Sequence, residues 1–136
     1  MDDLTLFGLA LAARENAYMP YSHFAVGAAL LCADGTVYTG CNIENAAFTP
    51  TVCAERVAFF KAVSDGKRDF TAIAIAGAPA GQKPKSPCAP CGVCRQVMAE
   101  FCRSDTFRIL LGNPSGDVRS YSLSELLPLA FSGEML

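Results

Sequence analysis

The sequence is short of positive charge and of histidine, and it has no long apolar run and no phosphate-cradling glycine loop. Lys and Arg together number 11 against 13 Asp and Glu, a formal net charge of −2. The basic face that holds a polyphosphate chain is therefore missing, and a nucleic-acid partner is not expected. His23 is the only histidine. A Ser-His-Asp or Cys-His hydrolase would have that one base, far in sequence from any candidate nucleophile, so His23 reads as structural. No apolar stretch reaches the roughly 18 residues of a membrane span, and no GxxxxGK loop, repeat or low-complexity segment occurs. Met1-Asp2-Asp3 opens an acidic, helix-like segment with neither a basic n-region nor a cleavage site, which points to a cytoplasmic protein.

What the chain does have is apolar surface and sulfur. Its 136 residues suit one domain spanning 1–136, and 51% hydrophobic against 18% charged residues is more burial than a monomer needs. An oligomer would hide the surplus. Seven cysteines is an odd number, and in a reducing compartment clustered thiols serve as metal ligands or catalytic groups. Three of them lie in Ser86-Pro-Cys88-Ala-Pro-Cys91-Gly-Val-Cys94-Arg-Gln96, and upstream Val52-Cys53-Ala54-Glu55-Arg56 adds a thiol and a carboxylate. C-x-E followed by P-C-x-x-C is the cysteine form of the zinc nucleobase-deaminase signature.

The rest of the chain alternates between helical and extended patterns. Asp3 to Ala17 reads as a helix capped by Asp2 or Asp3, apolar nearly all round. Ala25 to Ala33 and Thr36 to Ile43 read as strands joined at Asp34-Gly35 by a type I′ hairpin turn, with Asn42-Ile43-Glu44-Asn45 placing polar side chains at a strand end. Ala54 to Ser64 is a helix stopped by Gly66 and expected to lie deep between layers; Phe70 to Ala78 is a buried strand. After the proline-rich loop from Pro79 to Pro90 come a helix (Gly92 to Cys102), a strand (Phe107 to Leu111), a turn at Asn113-Pro114-Ser115-Gly116, a short strand (Val118 to Tyr121) and a helix start at Ser122-Leu-Ser-Glu125. The order α-β-β-α-β-α-β-β-α implies a three-layer α/β/α sandwich with a mixed, mostly five-stranded sheet.

A catalytic zinc takes three protein ligands and leaves a fourth position to water. Two C-x-x-C frames compete, Cys88/Cys91 and Cys91/Cys94. The first places Pro90, which has no N–H, where donors to a thiolate are wanted. In the second, Gly92 and Val93 both carry donors and Cys91 opens a helix. The expected ligands are Cys53, Cys91 and Cys94, one zinc per chain, with Cys88 spare. Three thiolates leave the site at −1, so some charge must be drained; Arg56 either hydrogen-bonds a thiolate sulfur from behind the ligands or is a solvated helix charge. In the deaminase scheme Glu55 is not a ligand: it moves a proton from water to the ring nitrogen and then to the departing amine. The rivals are a structural zinc site closed by Cys88 and a C-x-x-C redox enzyme.

The chain resembles the small homotetrameric cytidine deaminases of nucleoside salvage, nearly end to end. Tyr21-Ser-His-Phe24-Ala-Val-Gly-Ala-Ala-Leu30 resembles the family's first strand and its lead-in, Gly40-Cys-Asn42-Ile-Glu44-Asn-Ala46-Ala47 its nucleoside-binding segment, and Pro90-Cys-Gly-Val-Cys-Arg-Gln96 its second metal motif. The resemblance implies zinc-dependent hydrolytic deamination of cytidine and 2′-deoxycytidine to the uridines plus ammonia. It implies that Asn42 and Glu44 hydrogen-bond the ribose hydroxyls, that Phe24 packs on the nucleoside and that Ala54 gives a backbone contact to the pyrimidine. Ala46, Phe48 and Phe131 match positions that such tetramers contribute to a neighbouring subunit's site. Two departures stand out: Ser86-Pro87-Cys88 is separated from the metal motif by Ala89-Pro90, as if the loop were lengthened, and position 48 is Phe where many relatives carry Tyr.

Overall fold

Side-chain alternation along three inner strands divides the molecule into layers. On β3 (Phe70–Pro79), Ile73 and Ile75 point to one face and Ala72, Ala74 and Ala76 to the other. β1 (Phe24–Cys32) does the same with Ala28 and Leu30 against Ala29, and β4 (Arg108–Gly112) with Ile109 and Leu111 against Leu110. Strands buried on both faces read as continuous apolar runs, which is why β1 and β3 showed no polar alternation. The alanine face receives α1 (Asp3–Ala13) through Leu6, Phe7 and Ala10. The larger face receives α2 (Ala54–Ser64) and α3 (Gly92–Phe101), with Phe59 and Met98 fully buried. This is the expected three-layer arrangement.

The computed structural model describes residues 1–113 and 115–136. With β2 (Val37–Cys41) and β5 (Val118–Ser122) at the edges, the sheet runs β2-β1-β3-β4-β5, parallel only between β3 and β4. A short α4 (Leu123–Leu126) starts at the capping box of Ser122 and Glu125, as the sequence indicated. Among the described residues no helix is long and apolar enough to cross a membrane.

Several boundaries differ from the sequence reading. The first helix ends at Ala13, not Ala17, and Arg14–Asn16 tighten into a 3-10 turn. The cause is tertiary: Tyr18 leaves the helix to bridge Ile43, its N–H donating to the Asn42 carbonyl at 3.0 Å. The turn at Asp34-Gly35 is not type I′. Only Gly35 has positive φ (+91°), and Cys32 N–H bonds to the Thr36 carbonyl at 2.8 Å, which makes a three-residue loop of Ala33, Asp34 and Gly35. Helix α2 matches its expected span, yet it is not buried all round: Phe60 is 48% exposed. Of the expected turn at 113–116, Pro114 lies outside the described residues.

Candidate active site

One end of the strands gathers the first residue of β1, the last of β2 and the last of β3, because Phe24 pairs with Pro79 and Gly27 with both Cys41 and Ala76. Ligand sites in α/β sheets sit beyond such strand ends. Two local devices bring the chemistry there. Ile43 and Val52 exchange backbone hydrogen bonds at 3.0 Å each, folding the intervening loop so that Cys53 follows across from Asn42. Gly40 lets α2 approach β2, since a Cβ at that position would strike the Ala54 carbonyl and lie 2.7 Å from the Ala58 nitrogen.

Cys53 and Cys91 are the N-cap residues of α2 and α3, and neither makes a side-chain cap hydrogen bond. The free N–H groups of both first turns are thus left to their surroundings, and the positive ends of two helices favour anionic sulfur. The Sγ atoms of Cys53 and Cys91 are 3.7 Å apart, and those of Cys91 and Cys94 3.5 Å. Tetrahedral zinc with Zn–S near 2.3 Å sets sulfurs about 3.8 Å apart. Soft donors at that spacing fit zinc. Among the described residues no fourth His, Cys, Asp or Glu joins the group, so three protein ligands leave a position open.

Glu55 lies one position inside α2 from Ala54 and is 3% exposed. Burial pushes its carboxyl up to about 7, with negative charge on Cys53 adding to the effect. A carboxyl raised by burial, beside the thiols and away from bulk solvent, suits two-way proton transfer. Arg56 resolves toward the thiols: its Nη2 donates to Cys53 Sγ at 3.4 Å, while its buried Nε has no partner among the described residues. Burial works against its charge, but the sulfurs of Cys53 and Cys94 outweigh that and hold it protonated. The hydrogen bond with Cys94, then those from Arg56 and Cys91, pull the Cys53 thiol down to about 5, and Cys94, which shares that proton, is pushed up.

Cys88 stands apart from the trio. Its Sγ occupies the notch left by Gly77, 2.6 Å from where a Cβ would be, with the Phe24 ring at 3.1 Å from the same point. Burial raises its pKa to about 11. It is a filler of the site wall, and this removes the main support for a zinc centre closed by four cysteines.

Phe24, Asn42 and Glu44 form a second cluster. Asn42 Oδ1 accepts from Val26 N–H at 2.9 Å and its Nδ2 donates to the Phe24 carbonyl at 2.8 Å; Glu44 accepts from the backbone N–H of Tyr21 at 3.0 Å and Ser22 at 3.1 Å. Ala54 is fully buried at the start of α2. Ala46, Phe48 and Phe131, by contrast, stay on the surface of this chain, the two rings 74% and 58% exposed. Sequence reasoning missed Arg14, which reaches the same strand ends from the opposite face: Nε donates to the Ala25 carbonyl at 2.9 Å and Nη2 to those of Ala78 at 3.1 Å and Gln82 at 3.0 Å. No motif marks it, because every acceptor is backbone.

With this geometry in view, comparison with known proteins is consistent. Residues 1–109 match the family model described as the cytidine and deoxycytidylate deaminase zinc-binding region. The chain is 54% identical to the cytidine deaminase of Halalkalibacterium halodurans, over 98% of this chain and 97% of that one. It is 53% identical to that of Sporosarcina psychrophila, over 100% and 96%. The crystal structure of cytidine deaminase from Burkholderia pseudomallei superposes with a TM-score of 0.87 at 49% identity, covering 96% of this chain and all of that one. A zinc-spaced thiol triad, a buried carboxyl beside it and a polar strand end are therefore found in a chain that belongs to the zinc-binding cytidine and deoxycytidylate deaminase family.

Proposed function

We propose that this chain, as one domain spanning 1–136, hydrolytically deaminates cytidine and 2′-deoxycytidine to the corresponding uridines, releasing ammonia. The observation that carries the reading is the triad of Cys53, Cys91 and Cys94 at zinc spacing with Glu55 buried beside it. Bound there, one zinc per chain would supply the Lewis acidity that lets water act as a nucleophile at neutral pH. Arg56 offsets part of the charge of three thiolates.

The remaining work falls to the chain's own groups. Glu55 takes a proton from the attacking water and delivers it to the ring nitrogen; it then takes the proton of the hydroxyl now on the ring carbon and gives it to the exocyclic amine, which leaves as ammonia while the carbonyl forms. Ala54, at the start of α2, presents backbone to the pyrimidine. Phe24 packs on the nucleoside, and Asn42 and Glu44 take the sugar hydroxyls. Since the carboxylate of Glu44 is an acceptor only, a sugar hydroxyl must be the donor to it.

A homotetramer with shared active sites accounts for the exposed apolar side chains: Phe48, Phe60, Val93 and Phe131 would be covered by neighbouring copies, with Ala46, Phe48 and Phe131 completing a partner's pocket. Seven unpaired cysteines suit a reducing cytoplasm. Incubating the zinc-replete protein with cytidine and following loss of absorbance tests the assignment. Turnover to uridine is expected, and its absence would reject the reading.

A further inference from the structure

The backbone around Phe24 is held by an unusual set of side chains. His23 has φ +55°, a left-handed conformation that non-glycine residues avoid, and the kink it makes turns the chain from the lead-in onto β1. Flanking hydrogen bonds hold it there, His23 N–H to the Met19 carbonyl at 3.1 Å and Ala80 N–H to the His23 carbonyl at 2.8 Å. The next residue, Phe24, has both of its backbone polar groups bound by side chains. Its N–H donates to Ser22 Oγ at 3.1 Å, and its carbonyl accepts from Asn42 Nδ2 at 2.8 Å. Asn42 has no choice of orientation, because Val26 N–H requires the oxygen on its other side.

Ser22 is the hinge of this network. Its hydroxyl has one donor and room to accept. The donor goes to Glu44 Oε2, and the acceptor side takes Phe24 N–H. Tyr21 and Ser22 N–H groups bind Glu44 Oε1. Three of the carboxylate's lone-pair positions are therefore occupied by the lead-in segment, and what is left for a ligand points in one fixed direction.

We infer that Ser22 is a positioning residue for nucleoside binding, setting the Glu44 carboxylate and the Phe24 ring in register through one shared hydroxyl. The inference rests on the proposed contact of Glu44 with the sugar and adds what holds that contact in place. Without the hydroxyl, Glu44 keeps backbone donors on one oxygen alone, so its other oxygen loses the donor that fixes it, and Phe24 N–H loses its acceptor. Ser22 is itself exposed, so its removal leaves no cavity. The loss is felt in binding, while the thiols, Glu55 and the reacting carbon are untouched.

The test uses the zinc-loaded protein with cytidine and with 2′,3′-dideoxycytidine, which lacks the ring hydroxyls. Ser22→Ala is expected to raise KM for cytidine about tenfold, the worth of one charge-assisted hydrogen bond, with kcat within about twofold. Ser22→Thr, which keeps the hydroxyl, should restore most of the loss, and Ser22→Cys should fall between. On the dideoxy substrate the effect of Ser22→Ala should shrink to about twofold, because the hydroxyl that reads the aligned carboxylate is gone. An equal penalty on both substrates, or a KM for cytidine that does not move, overturns the inference. Glu44→Ala separates the two levels: if it leaves the KM for cytidine unchanged, the sugar contact itself is wrong, whereas a raised KM with an unaffected Ser22→Ala enzyme removes Ser22 alone.

Discussion

Each face of the sheet sends an arginine to the strand ends that form the candidate site, and what each touches separates structure from chemistry. Arg14, on the α1 side, donates to the carbonyls of Ala25, Ala78 and Gln82, all neutral backbone acceptors, at the start of β1, the end of β3 and the loop that follows it. Arg56, on the α2 side, donates to the sulfur of Cys53 and keeps its buried Nε without a partner among the described residues. A guanidinium spent on carbonyls fastens strands. One left partly unspent beside three thiols is placed to compensate charge. The packing follows the same division: alanines of β3 meet α1 closely, whereas the other face surrounds Phe59 with Phe70, Phe101 and Phe107 and keeps its polar groups at the helix N-termini.

If that division is right, substitutions on the two faces fail in different ways. The largest effect belongs to Glu55→Gln, which should lower kcat by about a thousandfold while zinc content and melting temperature stay as in the parent, since general acid–base groups contribute 10² to 10⁴. Residual turnover above a few per cent would remove Glu55 from proton transfer. On the opposite face, Arg14→Ala should cost about 2–3 kcal/mol of stability by leaving carbonyls unpaired, read from urea midpoints, yet keep zinc and most of kcat in the folded fraction. Loss of zinc in that variant would blur the comparison. Arg56→Gln should do the reverse, lowering zinc affinity or activity about 10- to 100-fold with little change in urea midpoint.

A smaller effect is expected with pH. Asp3 on α1 is held below its ordinary value by the paired bonds from Arg108, both 3.0 Å. Because its folded pKa is depressed, the stability it adds is present above the unfolded value near 3.8 and is lost as pH falls through the lower folded one. Both partners are about 40% exposed, so the amount is below about 1 kcal/mol. Urea midpoints of Asp3→Asn and parent should differ at pH 7 and converge as pH falls below the lowered folded value; a constant gap would refute the linkage. The smallest change is expected for Cys88→Ser, which should retain zinc and activity within a few fold.

How far the sequence could be read follows from which interactions are local. Helix α2 matched its span because its start at Cys53 and its stop at Gly66 are set by neighbouring residues, and the capping box of Ser122 and Glu125 is likewise a matter of spacing. The choice of Cys91 and Cys94 over Cys88 also came from local chemistry, the missing N–H of Pro90. The end of α1 was not legible, since it depends on Tyr18 pairing with Ile43, nor was the Asp34-Gly35 turn type, which depends on where the ladder of β1 and β2 closes. Arg14 and Ser22 stayed hidden for the same reason: their partners are backbone atoms or side chains brought near only by folding.

The central claim is a metal position with three sulfurs and one open place next to Glu55. X-ray absorption fine structure at the zinc edge of the loaded protein measures it directly. The geometry predicts three sulfur scatterers near about 2.3 Å and one oxygen near about 2.0 Å. Four sulfurs would contradict it.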